Sequence, residues 1–306
     1  MALRQPEGLA VAPDGAVYIA DLGSNQIIER LPTGTLRDVA GNGHAGSSGD
    51  RGRATAAGLN RPVAVAVDQR GVAYVADSGN NRIRSIGKDG VIDTLAQVPD
   101  PVALAIGPNA LLYVADGDGI QTVSPSGEVE TAIGTANAAV VPGTADLHLS
   151  GVAGGPSEMP RFIPFNPDAI AVSPSGVIYV ANFSPKVLLE YLPTDHGIGA
   201  IHDPFQFAQA YVAQAGLAHA PDGSVAVADD GTFAVDRVDG PSLTQVAGFH
   251  LNALSGVRGT FRPSGVAVAA DGTVYLDTDG ANGGTTEPAL VSINRQGRVE
   301  VLSVGR

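Results

Sequence analysis

Apolar and polar residues alternate in short runs along the chain, and one arrangement of these runs recurs six times. Each copy opens with small and aliphatic residues, passes a turn, and continues into a second run that usually contains tyrosine and ends near an acidic residue. The copies read PEGLAVAPDGAVYIAD (6–21), PVAVAVDQRGVAYVAD (62–77), PVALAIGPNALLYVAD (101–116), PDAIAVSPSGVIYVAN (167–182), QAGLAHAPDGSVAVAD (214–229) and PSGVAVAADGTVYLD (263–277). Two further apolar runs follow each copy. Short runs with a period of two predict β-strands.

Four antiparallel strands per copy predict an all-β fold, a six-bladed β-propeller. No blade can bury both of its faces alone, so the ring has to close for the core to exist. We expect one domain over residues 1–306, with blades that begin near residues 6, 62, 101, 167, 214 and 263. The chain starts with the innermost strand of the first blade and ends with the outermost strand of the last. Closure is therefore predicted to rest on packing, without exchange of a strand between the termini.

The repeats resemble the NHL-repeat family of six-bladed β-propellers. The resemblance is strongest in PVAVAVDQRGVAYVADSGNNRIRSI (62–86), and AGNGHAGSSGDRGRATAAGLNRP (40–62) is similar to a connector common in bacterial members. The resemblance implies the propeller fold. It does not select a function, because such propellers include RNA-binding proteins, sensor domains, protein-binding platforms and enzymes.

Charge and composition narrow the choice of partner. The formal net charge is −13, from 18 Lys and Arg against 31 Asp and Glu, which argues against a nucleic-acid partner. There is no cysteine, and no apolar run is long enough to predict a membrane span. The first residues enter the repeat pattern at once, so no signal peptide is predicted, and the compartment stays open. No phosphate loop or dinucleotide fingerprint occurs, so no organic cofactor is expected.

The long connections all fall on one face of the predicted ring, which we call the top face. They are Gly41–Arg61, Gly134–Asn166, His202–Ala213, Gly248–Arg262 and Thr278–Ala289. Seven of the eight phenylalanines lie in top-face connections. They and one tyrosine predict an apolar substrate pocket over the channel mouth, although they could instead form a small core for the loops themselves. The set is Phe162, Phe165, Phe183, Phe205, Phe207, Tyr211, Phe249 and Phe261.

Histidines and arginines of the same connections are the candidate catalytic groups. Imidazole titrates near neutrality, so His148, His202 and His250 are candidate general bases or zinc ligands. Arg161 and Arg262 could hold an anionic group of the substrate. Two further histidines are predicted to be structural, His44 at the surface and His219 in the core of the fifth blade.

Acidic residues at the strand ends have two interpretations. Glu7 and Asp168 follow the first proline of the first and fourth blades, opposite each other across the ring, and could bind calcium or another divalent cation in the central channel. They could equally be solvated loop ends. Related six-bladed lactonases and amidating lyases place metals in this channel. The carboxylates that end the second strand recur once per blade and are expected to cap turns. These are Asp21, Asp77, Asp116, Asp229 and Asp277.

The sequence thus favours an enzyme that acts on a small apolar or part-apolar molecule at the top of the channel. Acid–base or metal-assisted hydrolysis, elimination or cyclisation would suit these residues. The alternative is a non-catalytic module that uses the same face to bind a ligand or a protein.

Overall fold

The computed structural model describes residues 3–117, 119–134, 167–182, 187–192, 197–202, 215–229, 234–239, 242–248, 261–280 and 288–304. Within these residues the strands form five four-stranded sheets and one five-stranded sheet, numbered 1 to 6 here in chain order. Sheet 1 contains β1 (Pro6–Val11), β2 (Val17–Asp21), β3 (Gln26–Arg30) and β4 (Leu36–Ala40). Sheet 2 contains β5 (Gly52–Arg53), β6 (Pro62–Val67), β7 (Ala73–Asp77), β8 (Arg82–Ile86) and β9 (Val91–Gln97).

The remaining sheets repeat the four-stranded pattern. Sheet 3 contains β10 (Ala103–Ile106), β11 (Leu112–Asp116), β12 (Gly119–Val123) and β13 (Val129–Gly134). Sheet 4 contains β14 (Pro167–Val172), β15 (Ile178–Asn182), β16 (Val187–Leu192) and β17 (Gly197–His202). Sheet 5 contains β18 (Ala215–His219), β19 (Val225–Asp229), β20 (Ala234–Asp239) and β21 (Ser242–Gly248). Sheet 6 contains β22 (Phe261–Val268), β23 (Val274–Gly280), β24 (Ala289–Ile293) and β25 (Val299–Val304).

Helical structure in the described residues is limited to three single-turn 3₁₀ helices, at Ala54–Ala56, Ser78–Asn80 and Pro108–Ala110. None of the described helices is long and apolar enough to cross a membrane. The all-β prediction is therefore confirmed. The first strands begin within two residues of the predicted positions, and their starts are Pro6, Pro62, Ala103, Pro167, Ala215 and Phe261.

The first strand of every sheet lies at the centre of a closed ring. Each of these inner strands contacts the inner strand of the sheet before it and of the sheet after it, and β22 contacts β1. Neighbouring strands within each sheet are antiparallel, as a β-propeller requires. The described chain is therefore an all-β propeller, with the core divided among the interfaces between sheets.

Closure between the last and first sheets rests on packing and one hydrogen bond. Sheet 6 is completed by its own fourth strand, β25, and the described residues before Pro6 add no strand to it. Leu9 and Ile19 of sheet 1 pack in one cluster with Ala267 and Leu290 of sheet 6. The Ser264 hydroxyl donates to the carbonyl of Pro6 over 3.3 Å. This agrees with the predicted closure without strand exchange.

Small residues on the inner strands let neighbouring sheets approach closely, as the sequence predicts. A Cβ atom at Gly8 would lie 2.6 Å from the carbonyl oxygen of Val63 in the next sheet. At Gly216, it would lie 2.9 Å from the carbonyl oxygen of Ser264. Both obstacles are backbone atoms of neighbouring inner strands, which cannot move independently of their sheets. Glycine at these positions therefore sets the spacing of the ring.

Asp21, Asp77 and Asp277 of the second strands are buried; the first two bind the segment that enters the inner strand, and the third binds the inner strand itself. Asp21 accepts hydrogen bonds from the backbone N–H groups of Arg4, at 3.0 Å, and Gln5, at 2.7 Å. Asp77 accepts from the N–H of Asn60 at 2.7 Å, and Asp277 accepts from the N–H of Gly265. The predicted structural role is correct, but these side chains clamp a distant segment in addition to capping their own turn.

The connection Gly41–Arg61 differs from the prediction that it belongs to a binding face. It supplies β5, which pairs with the outer strand β9, and it buries Ala54, Ala57 and Leu59 between sheets 1 and 2. Asp50 accepts a 2.7 Å hydrogen bond from the guanidinium of Arg84, whose side chain is fully buried. Burial lowers the pKa of Arg84. Most of this connection is therefore part of the scaffold, although its last residue, Arg61, lines the top end of the channel. His44 within it is exposed as predicted.

Gly8→Ala should destabilise the protein, because the added methyl group would collide with the backbone of Val63. Overpacking of this kind costs about 1–3 kcal/mol, measurable as a lower midpoint of urea unfolding. Gly117→Ala is the matched control, because the nearest heavy atom to a Cβ there is 4.0 Å away. Equal midpoints for the two variants would contradict the proposed role of Gly8.

Candidate functional site

The inner strands line a central channel with residues at equivalent positions in every repeat. The top end of the channel widens into a cavity of about 570 Å³, which we call the mouth. Aliphatic residues such as Leu9, Leu104 and Ile170 form its lower wall. Polar side chains form its rim, and they are Gln5, Glu7, Arg61, Ser78, Asp100, Asp168 and Ser264. The volume falls within the range of small-molecule sites.

Glu7 and Asp168 reach the mouth because each sits in a β-bulge. In sheet 1, Pro6 pairs with Asp21 and Gly8 pairs with Ala20, so Glu7 has no partner residue on β2. In sheet 4, the register shifts in the same way around Asp168. Bulges re-aim a side chain out of the regular pleat and are frequent beside active sites. The two predicted residues therefore line one cavity from sheets 1 and 4, half-buried.

Short hydrogen bonds order the polar rim. The side-chain amide of Gln5 donates to Oε1 of Glu7 at 2.8 Å. The backbone N–H of Asp100 donates to Oδ1 of Asn81 at 2.9 Å, and that of Arg61 donates to Oδ1 of Asn25 at 2.9 Å. The two backbone hydrogen bonds fix Asp100 and Arg61 where their side chains reach the mouth.

Arg61 and Asp100 share an unusual backbone conformation. Their φ angles are 51° and 41°, in the left-handed region that non-glycine residues seldom adopt. Such conformations are retained where the surrounding structure enforces them and are frequent at functional sites. Sequence reasoning missed Arg61 as a site residue. Its position directly before the first proline of the inner strand, shared with Asp100, is the signal that could have found it.

The charge of the mouth is unevenly divided among its described residues. Three carboxylates, Glu7, Asp100 and Asp168, stand against one guanidinium, Arg61. A neutral or cationic ligand group is favoured near the carboxylates, while Arg61 can hold a carbonyl or carboxylate oxygen. The arrangement offers both an acceptor and a donor of hydrogen bonds to one small molecule.

A divalent cation in the channel needs more ligands than these residues supply. No group of three histidine or acidic side chains in the described ranges is placed to hold a metal ion. Calcium takes six to eight oxygen ligands, so Glu7 and Asp168 do not form a site by themselves. We therefore assign no chemical step to a bound cation.

Most of the predicted aromatic and histidine residues lie outside the described residues. These are His148, His250, Arg161, Phe162, Phe165, Phe183, Phe205, Phe207, Tyr211 and Phe249. Three others have a described backbone that corrects their predicted place in loops. His202 is the last residue of β17 and pairs with Leu188, while Phe261 and Arg262 begin β22 and pair with Gly280 and Asp279. Bulged pairing extends these strands further than the apolar pattern indicates.

The lower channel corrects the prediction for His219. Below Leu9 and its equivalents, the channel is lined by alanine and branched aliphatic residues, with His219 as the one titratable side chain among the described lining residues. His219 occupies the position held by Val11 in sheet 1 and Ile106 in sheet 3. Its ring lies 6.4 Å from the ring of Tyr179, measured between centroids. His219 is half-buried at the channel wall and not part of a closed core.

Comparisons with known protein families agree with the repeat pattern. The family model of the teneurin NHL domain matches residues 38–100, and the model of the NHL repeat matches residues 3–28. The chain carries NHL repeats. Teneurin-4 of Mus musculus is 28% identical over 215 residues, which cover 58% of this chain and 8% of Teneurin-4. The NHL-repeat chain therefore spans less than a tenth of the length of this relative.

Solved structures share the fold of the NHL-repeat chain. Virginiamycin B lyase from Staphylococcus aureus superposes with a TM-score of 0.61 at 13% identity, over 98% of this chain and 86% of the lyase. Regucalcin from Agrobacterium tumefaciens, a calcium-binding protein, superposes with a TM-score of 0.60 at 16% identity, over 93% of this chain and 85% of regucalcin. At these identities the likeness shows the fold alone.

The imidazole of His219 should titrate below its ordinary pKa of 6.5, because burial disfavours the charged form. The carboxylate of Asp222 opposes this shift, so Asp222→Asn should lower the pKa further. The folded protein then binds the proton less readily than the unfolded chain. Protonation of His219 therefore lowers the free energy of unfolding as the pH falls below 6.5. NMR titration of the histidine ring protons measures the pKa directly. A midpoint at or above 6.5 would place His219 in a solvated or ion-paired environment instead.

Proposed function

We propose that this chain is an enzyme that acts on a small, part-apolar molecule bound at the mouth of the channel. The observation that carries the proposal is the pair of carboxylates, Glu7 and Asp168, which two β-bulges direct into one cavity of about 570 Å³. A cavity with an aliphatic lower wall and a few convergent polar groups is the usual form of a small-molecule site. We also propose that the six sheets are the six blades of one ring.

The reaction that these groups support best is acid–base chemistry of the hydrolase, lyase or cyclase type. Glu7 and Asp168 come from opposite sides of the ring, so one can accept a proton while the other donates one on the far side of the substrate. Arg61 is placed to hold a carbonyl or carboxylate oxygen as negative charge develops on it. The predicted histidines His148 and His250 would add a base that titrates near neutral pH, whereas the backbone of His202 ends the outermost strand of sheet 4.

One structural neighbour supports this class of activity, and a second supports a bound cation. One neighbour is a lyase, and a form of it in which one histidine is replaced by alanine is catalytically inactive. The other is a calcium-binding protein. We therefore propose, in addition, that Glu7 and Asp168 are two of the ligands of a divalent cation. Further oxygen atoms would complete its coordination.

A non-catalytic binding module is the second candidate. The observation in its favour is that the matched part of Teneurin-4 is a small fraction of a much longer protein, so repeats of this kind also occur within large assemblies of domains. A module of this kind would bind its ligand at the mouth without converting it. The partner in either case is proposed to be a small molecule or a protein, not nucleic acid.

Glu7→Gln and Asp168→Asn should each lower turnover about 10²- to 10⁴-fold while the melting temperature changes little, because a positioned proton carrier contributes about that much. The substrate would be found in a panel of lactones, esters and cyclic depsipeptides that includes quinupristin. Glu130→Gln is the control, since Glu130 is exposed on β13 and does not line the mouth. His202→Ala in the same assay tests the predicted base.

Three outcomes separate the two candidate functions. Turnover that falls in the mouth variants but not in the control supports the enzyme. Binding without turnover, lost in the same variants, supports the module. Full activity in all the mouth variants would overturn the assignment of the site.

Calcium should raise the melting temperature of the wild-type protein if Glu7 and Asp168 share a cation, because binding to the folded state alone stabilises it. Glu7→Gln should reduce that rise, and excess chelator should abolish it. Differential scanning fluorimetry across a calcium titration measures both effects. Identical calcium-dependent shifts in the wild type and Glu7→Gln would exclude Glu7 as a ligand.

A further inference from the structure

A second large cavity lies between sheets 1 and 2, away from the channel. It has a volume of about 650 Å³, and its described lining residues include none of those that line the mouth. Residues of the short turns contribute to it, among them Pro13, Asp14, Lys88 and Asp89, together with side chains of β3, β4 and β5. We call it the inter-sheet groove. None of the chemistry described above uses it.

The inner wall of the inter-sheet groove is a buried polar cluster. The carboxylate of Glu29 is almost fully buried and accepts a hydrogen bond from Nε of Arg37, whose own side chain is 60% exposed. Tyr18 also hydrogen bonds with Glu29, and burial followed by the Glu29 charge raises the pKa of Tyr18 to about 12. The phenol therefore stays protonated at neutral pH. These contacts satisfy Glu29 and fix Arg37 at the wall of the groove.

The rim of the inter-sheet groove carries charged groups that are not neutralised by neighbours. Arg53 and Lys88 line the groove and form no ion pair with any described residue. The stem of Lys88 lies across Gly71, where a Cβ atom would be 2.4 Å from Cε of the lysine. The groove thus presents two exposed cationic donors, Arg53 and Lys88.

Both donors and acceptors line the inter-sheet groove. The acceptors are Asp14, Glu29, Asp38 and Asp89, and the cationic donors are Arg37, Arg53 and Lys88, so the lining charges nearly cancel. Gln69 and Thr55 can both donate and accept. A strongly anionic ligand would meet four carboxylates, and an apolar ligand would strip water from charged groups without replacing it. Neither kind of ligand fits.

We propose that the inter-sheet groove binds a neutral polyhydroxylated ligand, a carbohydrate of one or two rings. Each hydroxyl group both donates and accepts hydrogen bonds, so the hydroxyls of one sugar can pair with both the carboxylates and the cations of the lining. The C–H faces of a sugar ring can pack on Pro13 and Val39, the apolar lining residues whose side chains are not fully buried. This proposal is independent of the reaction proposed for the mouth.

Saturation-transfer NMR with glucose, maltose, cellobiose, trehalose, chitobiose and myo-inositol tests the proposal on the full chain, and isothermal titration then gives the dissociation constant. Arg53→Ala and Asp38→Ala should each weaken binding of the best sugar about tenfold or more, since each removes a hydrogen bond to a charged group. Both residues are exposed, so these variants should fold normally. Arg298→Ala, an exposed arginine of sheet 6, should bind as tightly as the wild type.

Several results would overturn the proposal. If none of these sugars bound to the protein, the proposed carbohydrate site would be wrong. Binding that survives Arg53→Ala and Asp38→Ala, or that is lost in Glu7→Gln, would place the sugar elsewhere on the protein. Tight binding of inorganic phosphate at the groove, with no sugar bound, would show that the cations dominate and that the ligand class is wrong. Loss of turnover at the mouth in Glu7→Gln, with sugar binding unchanged, would keep the two sites distinct.

Discussion

In sheets 1, 2 and 6 a buried carboxylate of the second strand holds the start of the inner strand, and the order of the ring depends on this interaction. A charged group in this position would be strongly unfavourable without partners, and the backbone N–H groups of the segment entering the inner strand supply them. Asp21 binds two such groups and Asp77 binds one, while Asp277 binds the N–H of Gly265 within the inner strand itself. Asp21 and Asp77 thereby tie the segment that enters the sheet to the strand that lines the channel. The inner strands are thus held in position from the side of the mouth.

The residues that reach the mouth are set by the way the inner strands begin. In sheets 1, 2 and 4 the inner strand starts with proline, the next residue falls in a bulge, and the residue after that is small because a neighbouring sheet lies against it. The bulged residue can vary without disturbing this packing. In sheets 1 and 4 it is an acid, Glu7 or Asp168, and in sheet 2 it is Val63. These three sheets therefore each offer one variable side chain at the rim of the channel.

Much of the scaffold could be predicted from the sequence, since strand starts, turns and spacing residues recur at fixed offsets. The exceptions have physical causes. The connection Gly41–Arg61 is rich in glycine and polar residues, and only its few buried alanines and Leu59 show that it packs between sheets. His219 was predicted in the core because it replaces an aliphatic residue, but that position lines the channel in every sheet. Arg61 was missed because its backbone conformation, not its residue type, brings it to the mouth, and only its place before the first proline of the repeat marks it in the sequence.

The mouth and the inter-sheet groove differ in how their side chains are supported, and this difference decides which is suited to catalysis. Glu7 and Asp168 stand on inner strands that neighbouring sheets hold on both sides, so their positions relative to a bound molecule are restricted. Proton transfer requires such restriction, because small displacements of a reacting group lower the rate steeply. Arg53 and Lys88 are exposed side chains at the edge of one sheet. Ordering them on a ligand has an entropic cost that lowers affinity but does not prevent recognition, so the groove suits binding without chemistry.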